Sequence, residues 1–140
     1  MANCEVKFVE GMTFIGKGDT NHWVAMDGST EVGGTAAGTS PMELVLIALG
    51  GCSGMDVVSI LRKMRVNYDK FEMKLSGERA TEHPKVFTTI HVEYIIYGKE
   101  INEKDFAHAV ELSQDKYCSV AGVIKKSGVE LTFSYKVISE

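Results

Sequence analysis

The chain has 140 residues, 44% apolar and 24% charged, with 15 basic against 19 acidic side chains and a formal charge of −4. That length fits one domain spanning residues 1–140. Two prolines and an ordinary apolar fraction exclude a disordered chain, and an acidic balance with no basic run excludes a nucleic-acid-binding surface.

Residues 5–10, 13–16 and 22–27 read as short strands, separated by Gly11 and a turn over 16–21 and ending at Asp27-Gly28. A loop of small residues follows over 29–39. Ser40-Pro41-Met42-Glu43 then opens a helix. Ser40 suits the cap, Pro41 the first helical position, and Glu43 completes a capping box. The helix is expected to run to about Arg65. It is apolar almost all round as far as Leu61, the pattern of a helix buried on most faces. A 140-residue monomer has little material to surround it, so a partner chain is expected. Glu43, Gly50, Gly51, Ser53, Gly54, Asp56 and Ser59 interrupt the apolar run and speak against a membrane span.

Three alternating segments come next. Phe71, Met73 and Leu75 alternate with Glu72, Lys74 and Ser76. Ile90, Val92, Tyr94 and Ile96 alternate with polar residues until Ile95 and Tyr97 break the polar face. Val129 to Val137 alternates throughout. Each is predicted as a half-buried antiparallel strand. Between the last two, Asn102 caps a second helical region marked by Phe106, Val110, Tyr117, Val120 and Ile124, and Gly128 ends it. The region is expected to bend and restart at Cys118. The fold class is α+β, with helices on antiparallel sheet.

Three cysteines, Cys4, Cys52 and Cys118, are too few and odd in number for a secreted disulfide framework. The start of the chain, Met1-Ala2-Asn3-Cys4-Glu5, has no signal-peptide apolar stretch. The cytoplasm is the expected compartment. Cys52 sits in Gly50-Gly51-Cys52-Ser53-Gly54, and glycine in a helix interior costs roughly 1 kcal/mol. Either close packing or access to the sulfur must require the space. Two readings stay open for Cys52 and Cys118: reactive thiols, or buried reduced cysteines acting as small hydrophobes. Cys4, at a strand start near the chain end, is given no role. His22, His83, His91 and His108 show no ligand spacing, so no metal or other cofactor is expected. No nucleophile elbow or Cys-His signature supports a hydrolase. Glu43 and Asp56 read as a cap and as a helix-surface or interface charge.

Ser40-Pro41-Met42-Glu43-Leu44-Val45, then Gly51-Cys52-Ser53 along the same helix, then Tyr117-Cys118-Ser119-Val120 at the restart of another, resembles the OsmC/Ohr family of osmotically inducible and organic hydroperoxide resistance proteins. The order of elements matches along essentially the whole chain. The resemblance implies an OsmC-like fold, with antiparallel sheets around a long central helix in an intertwined homodimer. It implies a stress-response, antioxidant activity in which Cys52 is the peroxidatic and Cys118 the resolving cysteine. The substrate is an organic hydroperoxide, and a dithiol or lipoylated protein is the reductant. The alternative is a non-enzymatic member that binds an apolar ligand or senses redox state.

The sequence departs from the family in three places. No arginine precedes Arg62, where the family keeps one for the thiolate, and Lys17 stands nearest to that place. Met42, with Glu43 after it, follows Pro41 where the family has glutamate. Ser119 follows the second cysteine where proline is common. A cysteine three turns inside a helix gains little from the helix dipole, so Lys17 is expected to supply what activation Cys52 has. A disulfide between Cys52 and Cys118 is expected after peroxide treatment, which requires Cα atoms within about 7 Å or a small backbone movement. Glu43 is expected not to touch Cys52 of its own chain, because nine residues of helix separate them by about 13–14 Å.

Overall fold

The computed structural model describes residues 1–140, in two compact units, 1–45 and 46–140. In the first unit, β1 (Cys4–Glu10), β2 (Thr13–Gly18) and β3 (Val24–Met26) form an antiparallel sheet in that order. Gly11 makes the β1–β2 turn at φ +57°, a left-handed conformation that costs glycine little. Every residue of β1 is exposed in this chain, including Val6, Phe8 and Val9.

Asp27 ties down the loop that follows. Its carboxylate is 3% exposed and accepts from the Thr13 hydroxyl at 2.8 Å, the Thr35 hydroxyl at 2.9 Å and the backbone N–H groups of Gly28 and Ala37. A Cβ on Gly34 would collide with the Gly28 carbonyl, so the loop folds back on itself only with glycine there. The unit ends in the first turn of α1 (Pro41–Lys63), where the expected capping box forms. The Ser40 N–H donates to the Glu43 carboxylate at 2.9 Å, and the Glu43 N–H donates to Ser40 Oγ at 3.2 Å.

The second unit carries the rest of α1, then β4 (Lys70–Arg79), β5 (Phe87–Tyr97), α2 (Glu103–Leu112), a π-helical turn over Ser113–Tyr117, α3 (Ser119–Lys126) and β6 (Glu130–Ile138). The fold is α+β, as the sequence indicates. The sheet order is β4-β5-β6, which puts β5 in the middle. The alternation breaks at Ile95 because both faces are buried there: Ile90, Val92, Tyr94 and Ile96 are buried on one face and Ile95 on the other.

One expectation is corrected. β4 pairs antiparallel with β5, but β5 and β6 run parallel, with Thr89 opposite Glu130 and Tyr97 opposite Ile138. The two helices between them carry the chain back to its starting end, and a helical crossover of that length returns a strand in the same direction. The alternation of residues 129–137 marks a half-buried strand but does not encode the direction of its neighbour.

α1 buries only one stripe within this unit, Leu49, Ser53, Val57 and Leu61, at successive i+4 positions. Gly50 and Gly54 let it lie close on β4: a Cβ at 50 would stand 3.0 Å from Leu75 Cδ1, and one at 54 would stand 3.2 Å from Met73 Sδ. Close packing is therefore what these two glycines serve, whereas a Cβ at Gly51 would meet nothing within 4 Å. The helix ends at Lys63, two residues short of expectation. Arg65 takes the left-handed conformation at φ 58°, its N–H bonds the Arg62 carbonyl, and the Val66 N–H bonds the Leu61 carbonyl. This is a Schellman close with arginine in the place usually held by glycine.

Candidate functional site

α1 and the restart of the second helical region bring three chemically active groups together in the second unit. Cys52 Sγ, a carboxylate oxygen of Asp56 and Cys118 Sγ lie within 4.8 Å of one another. Asp56 is one helical turn beyond Cys52, so the two share a face of α1. Cys118 is placed by the π-helical turn that ends α2. It adopts an extended conformation (φ −69°, ψ 107°) and becomes the N-cap of α3, where Sγ accepts the Ala121 N–H at 3.4 Å. Its own N–H bonds the Ser113 carbonyl at 2.8 Å. Cys118 is buried and Cys52 half-buried, so the cluster is reached from the Cys52 side.

Burial pushes the Cys118 thiol up from an ordinary 9.0 to about 11, and the neighbouring Cys52 and Asp56 push the same way, against the Ala121 N–H. At neutral pH Cys118 is therefore a protonated thiol.

A buried hydrogen-bond chain holds Asp56. Ser113 Oγ lies 3.0 Å from Asp56 Oδ2 and 2.7 Å from Ser53 Oγ, Ser53 Oγ bonds the Tyr94 hydroxyl, and the Gln114 side-chain amide donates to that hydroxyl. Ser113 has one proton and two acceptors in reach, Asp56 Oδ2 at 3.0 Å and the Ser53 carbonyl at 3.3 Å; when it donates to Asp56 it accepts from Ser53, which then accepts from Tyr94, itself accepting from Gln114. Burial raises the Tyr94 hydroxyl above its ordinary value, against the pull of its Ser53 and Gln114 bonds, so it stays protonated as this direction requires.

Of the residues singled out from sequence, Cys52 and Cys118 meet. Lys17 lies in the first unit, with its ammonium 3.2 Å from the Glu5 carboxylate, 2.7 Å from Asn21 Oδ1 and over the ring of Trp23. Glu43 is held by Ser40 in the capping box. Cys4 is exposed on β1. His91 is bridged on the sheet by the Thr132 and Ser134 hydroxyls. Sequence reasoning missed Asp56 and the chain Ser53–Tyr94–Ser113–Gln114. The signal for Asp56 was its i+4 spacing from Cys52. The other four come from three separate stretches, 53, 94 and 113–114, and carry no local mark.

The sequence profile of the family described as OsmC-like protein matches residues 33–134. The chain is 46% identical over 134 residues to Protein YhfA of Escherichia coli strain K12, covering 96% of each. A crystal structure of a hypothetical protein from Aquifex aeolicus VF5 superposes with a TM-score of 0.87 at 34% identity, covering 100% of this chain and 98% of that one. An organic hydroperoxide resistance protein OsmC from Legionella pneumophila has the same fold, with a TM-score of 0.70 at 14% identity and 96% of each chain covered.

Proposed function

Because this chain belongs to the OsmC-like protein family, we propose that it reduces organic hydroperoxides with the thiol pair Cys52 and Cys118. The observation that carries the reading is the meeting of the two sulfurs within 4.8 Å, from positions 66 residues apart in sequence. Structural neighbours named as hydroperoxide resistance proteins support the class of reaction.

Cys52, the more accessible sulfur, attacks the outer peroxide oxygen as a thiolate. The O–O bond breaks, Cys52 becomes a sulfenic acid, and the alkoxide takes a proton from solvent and leaves as the alcohol. Cys118 then attacks the Cys52 sulfur: an S–S bond forms, the S–O bond breaks, and water leaves. The proton of the Cys118 thiol must leave before its sulfur is a good nucleophile; Asp56, the carboxylate beside it, takes that proton and passes it to the departing hydroxide, which leaves as water. An external dithiol or lipoylated protein returns two electrons to the disulfide. Lys17 and Glu43 enter this scheme only as auxiliary groups, and each would first have to leave its local partner, Glu5 or Ser40. The working form is a homodimer in the cytoplasm, in which a partner copy covers the apolar surfaces of α1 and β1.

The test is consumption of cumene hydroperoxide by the full-length protein with a dithiol, alongside mass mapping after oxidation. Turnover with a Cys52–Cys118 disulfide is expected. Cys118→Ser should trap Cys52 as a sulfenic or overoxidised species, and Cys4→Ser should change nothing. Absence of turnover, or a disulfide through Cys4, would overturn the reading.

A further inference from the structure

We propose that Cys52, Asp56 and Cys118 form a site for one thiophilic divalent cation of the zinc class, with its fourth position open. The three ligating atoms already face one another within 4.8 Å. Tetrahedral zinc, with bonds of about 2.3 Å to sulfur and about 2.0 Å to oxygen, spaces such ligands by roughly 3.5–4 Å, so a small side-chain contraction closes the set. Two sulfurs select zinc-class ions over magnesium or calcium.

A further feature fits a cation: the carboxylate is oriented from behind. The Ser113 hydroxyl stands 3.0 Å from Oδ2, the position from which outer-shell groups fix a ligating carboxylate. The Ala121 N–H at 3.4 Å from Cys118 Sγ would do the same for a thiolate. The half-buried Cys52 leaves an approach from solvent.

Cys-x-x-x-Asp on one helical face uses the same i, i+4 geometry by which paired helical ligands hold zinc. No histidine or CxxC spacing announces it, because the third ligand comes from position 118. The site needs only the reduced pair and stands independently of peroxide chemistry. Disulfide formation would remove both sulfur ligands, so metal retention reports the redox state of the pair.

The experiment titrates reduced full-length protein, in a Cys4→Ser background, with zinc and with cadmium as its spectroscopic stand-in. The expected result is one ion per chain, a cadmium–thiolate charge-transfer band in the ultraviolet, and proton release on binding. Cys52→Ser and Cys118→Ser should each remove about half of the band, and the serine at 118 keeps an N-cap for α3. Asp56→Asn should keep the band and weaken affinity at least about tenfold, the scale for losing one charged ligand or its support. Protein oxidised to the disulfide should take up none. No uptake, unchanged affinity in Asp56→Asn, or a full band in Cys118→Ser would overturn the site. Peroxide turnover measured on metal-free protein fails or succeeds separately, so loss of one reading does not remove the other.

Discussion

At Cys118 a single sulfur carries three demands: it is buried, it caps a helix, and it faces a second thiol and a carboxylate. Because burial and its neighbours hold the thiol up to about 11, Cys118 should alkylate slowly at neutral pH in the reduced protein. Its mass-mapped alkylation rate should rise with a midpoint near 11. The same shift makes folding pH-dependent. A folded-state value above the unfolded one contributes stability below pH 9 and loses it as pH rises from 9 to 11, where the unfolded chain releases its proton first. Chemical denaturation across that window should show falling stability, and Cys118→Ala should flatten the slope.

Asp27 has the opposite sign. The Thr13 hydroxyl, with Thr35 and the Gly28 and Ala37 N–H groups, holds its carboxyl below the ordinary 3.8, against the effect of burial. Its contribution is present above about pH 4 and lost as the pH falls below that value. Asp27→Asn should therefore lower the thermal midpoint at pH 7 and remove part of the acid sensitivity between pH 4 and 2. An unchanged acid limb would mean that other carboxylates govern it.

Among the elements, α1 shows how local signals and packing divide the work. Its start is written in Ser40, Pro41 and Glu43, and the capping box forms as those residues dictate. Its end is less legible, because a Schellman close expects glycine and this chain has Arg65 at φ 58°. A side chain with a Cβ in that conformation costs about 1–2 kcal/mol. Arg65→Gly should stabilise the fold by about 1 kcal/mol after the extra freedom of unfolded glycine is counted, raising the thermal midpoint by roughly 3–5 °C. A lower midpoint would show that the Arg65 side chain makes a contact worth more than the strain.

The crossover between β5 and β6 follows the same logic. Asn102 accepts the Lys104 N–H at 2.9 Å and starts α2 as its sequence suggests. The π-helical turn that buries Ser113 and Gln114 has no sequence signature, yet it aims that pair at Ser53, Asp56 and Tyr94.

For the whole molecule, the surface left uncovered sets the expectation. α1 is long and apolar enough to cross a membrane by length and composition alone, yet Gly50 and Gly54 seat it on β4 and one stripe is buried there. Ile47 is 57% and Met55 75% exposed, and β1 leaves Val6, Phe8 and Val9 open. Apolar area of this kind is what a permanent partner covers, at about 25 cal/mol per Å². The homodimer reading predicts a thermal midpoint that rises with protein concentration, and a dimer in sedimentation at micromolar concentration. A stable monomer under those conditions would overturn it.

The sequence by itself determined the α+β class, the start of α1, the approximate bounds of all six strands, the restart at Cys118 and the two cysteines worth watching. Each of these rests on periodicity, capping chemistry or residue type, which act over a few neighbouring positions. Only the tertiary structure decided that β6 runs parallel to β5, that Gly50 and Gly54 serve helix–sheet contact, and that Asp56 stands beside both sulfurs at the end of a buried hydrogen-bond chain. Strand direction is set by the crossover path, and the site joins positions 52–56, 94, 113–114 and 118. Those residues share no local pattern, because what selects them is the space and the unpaired protons left when distant segments close on one another.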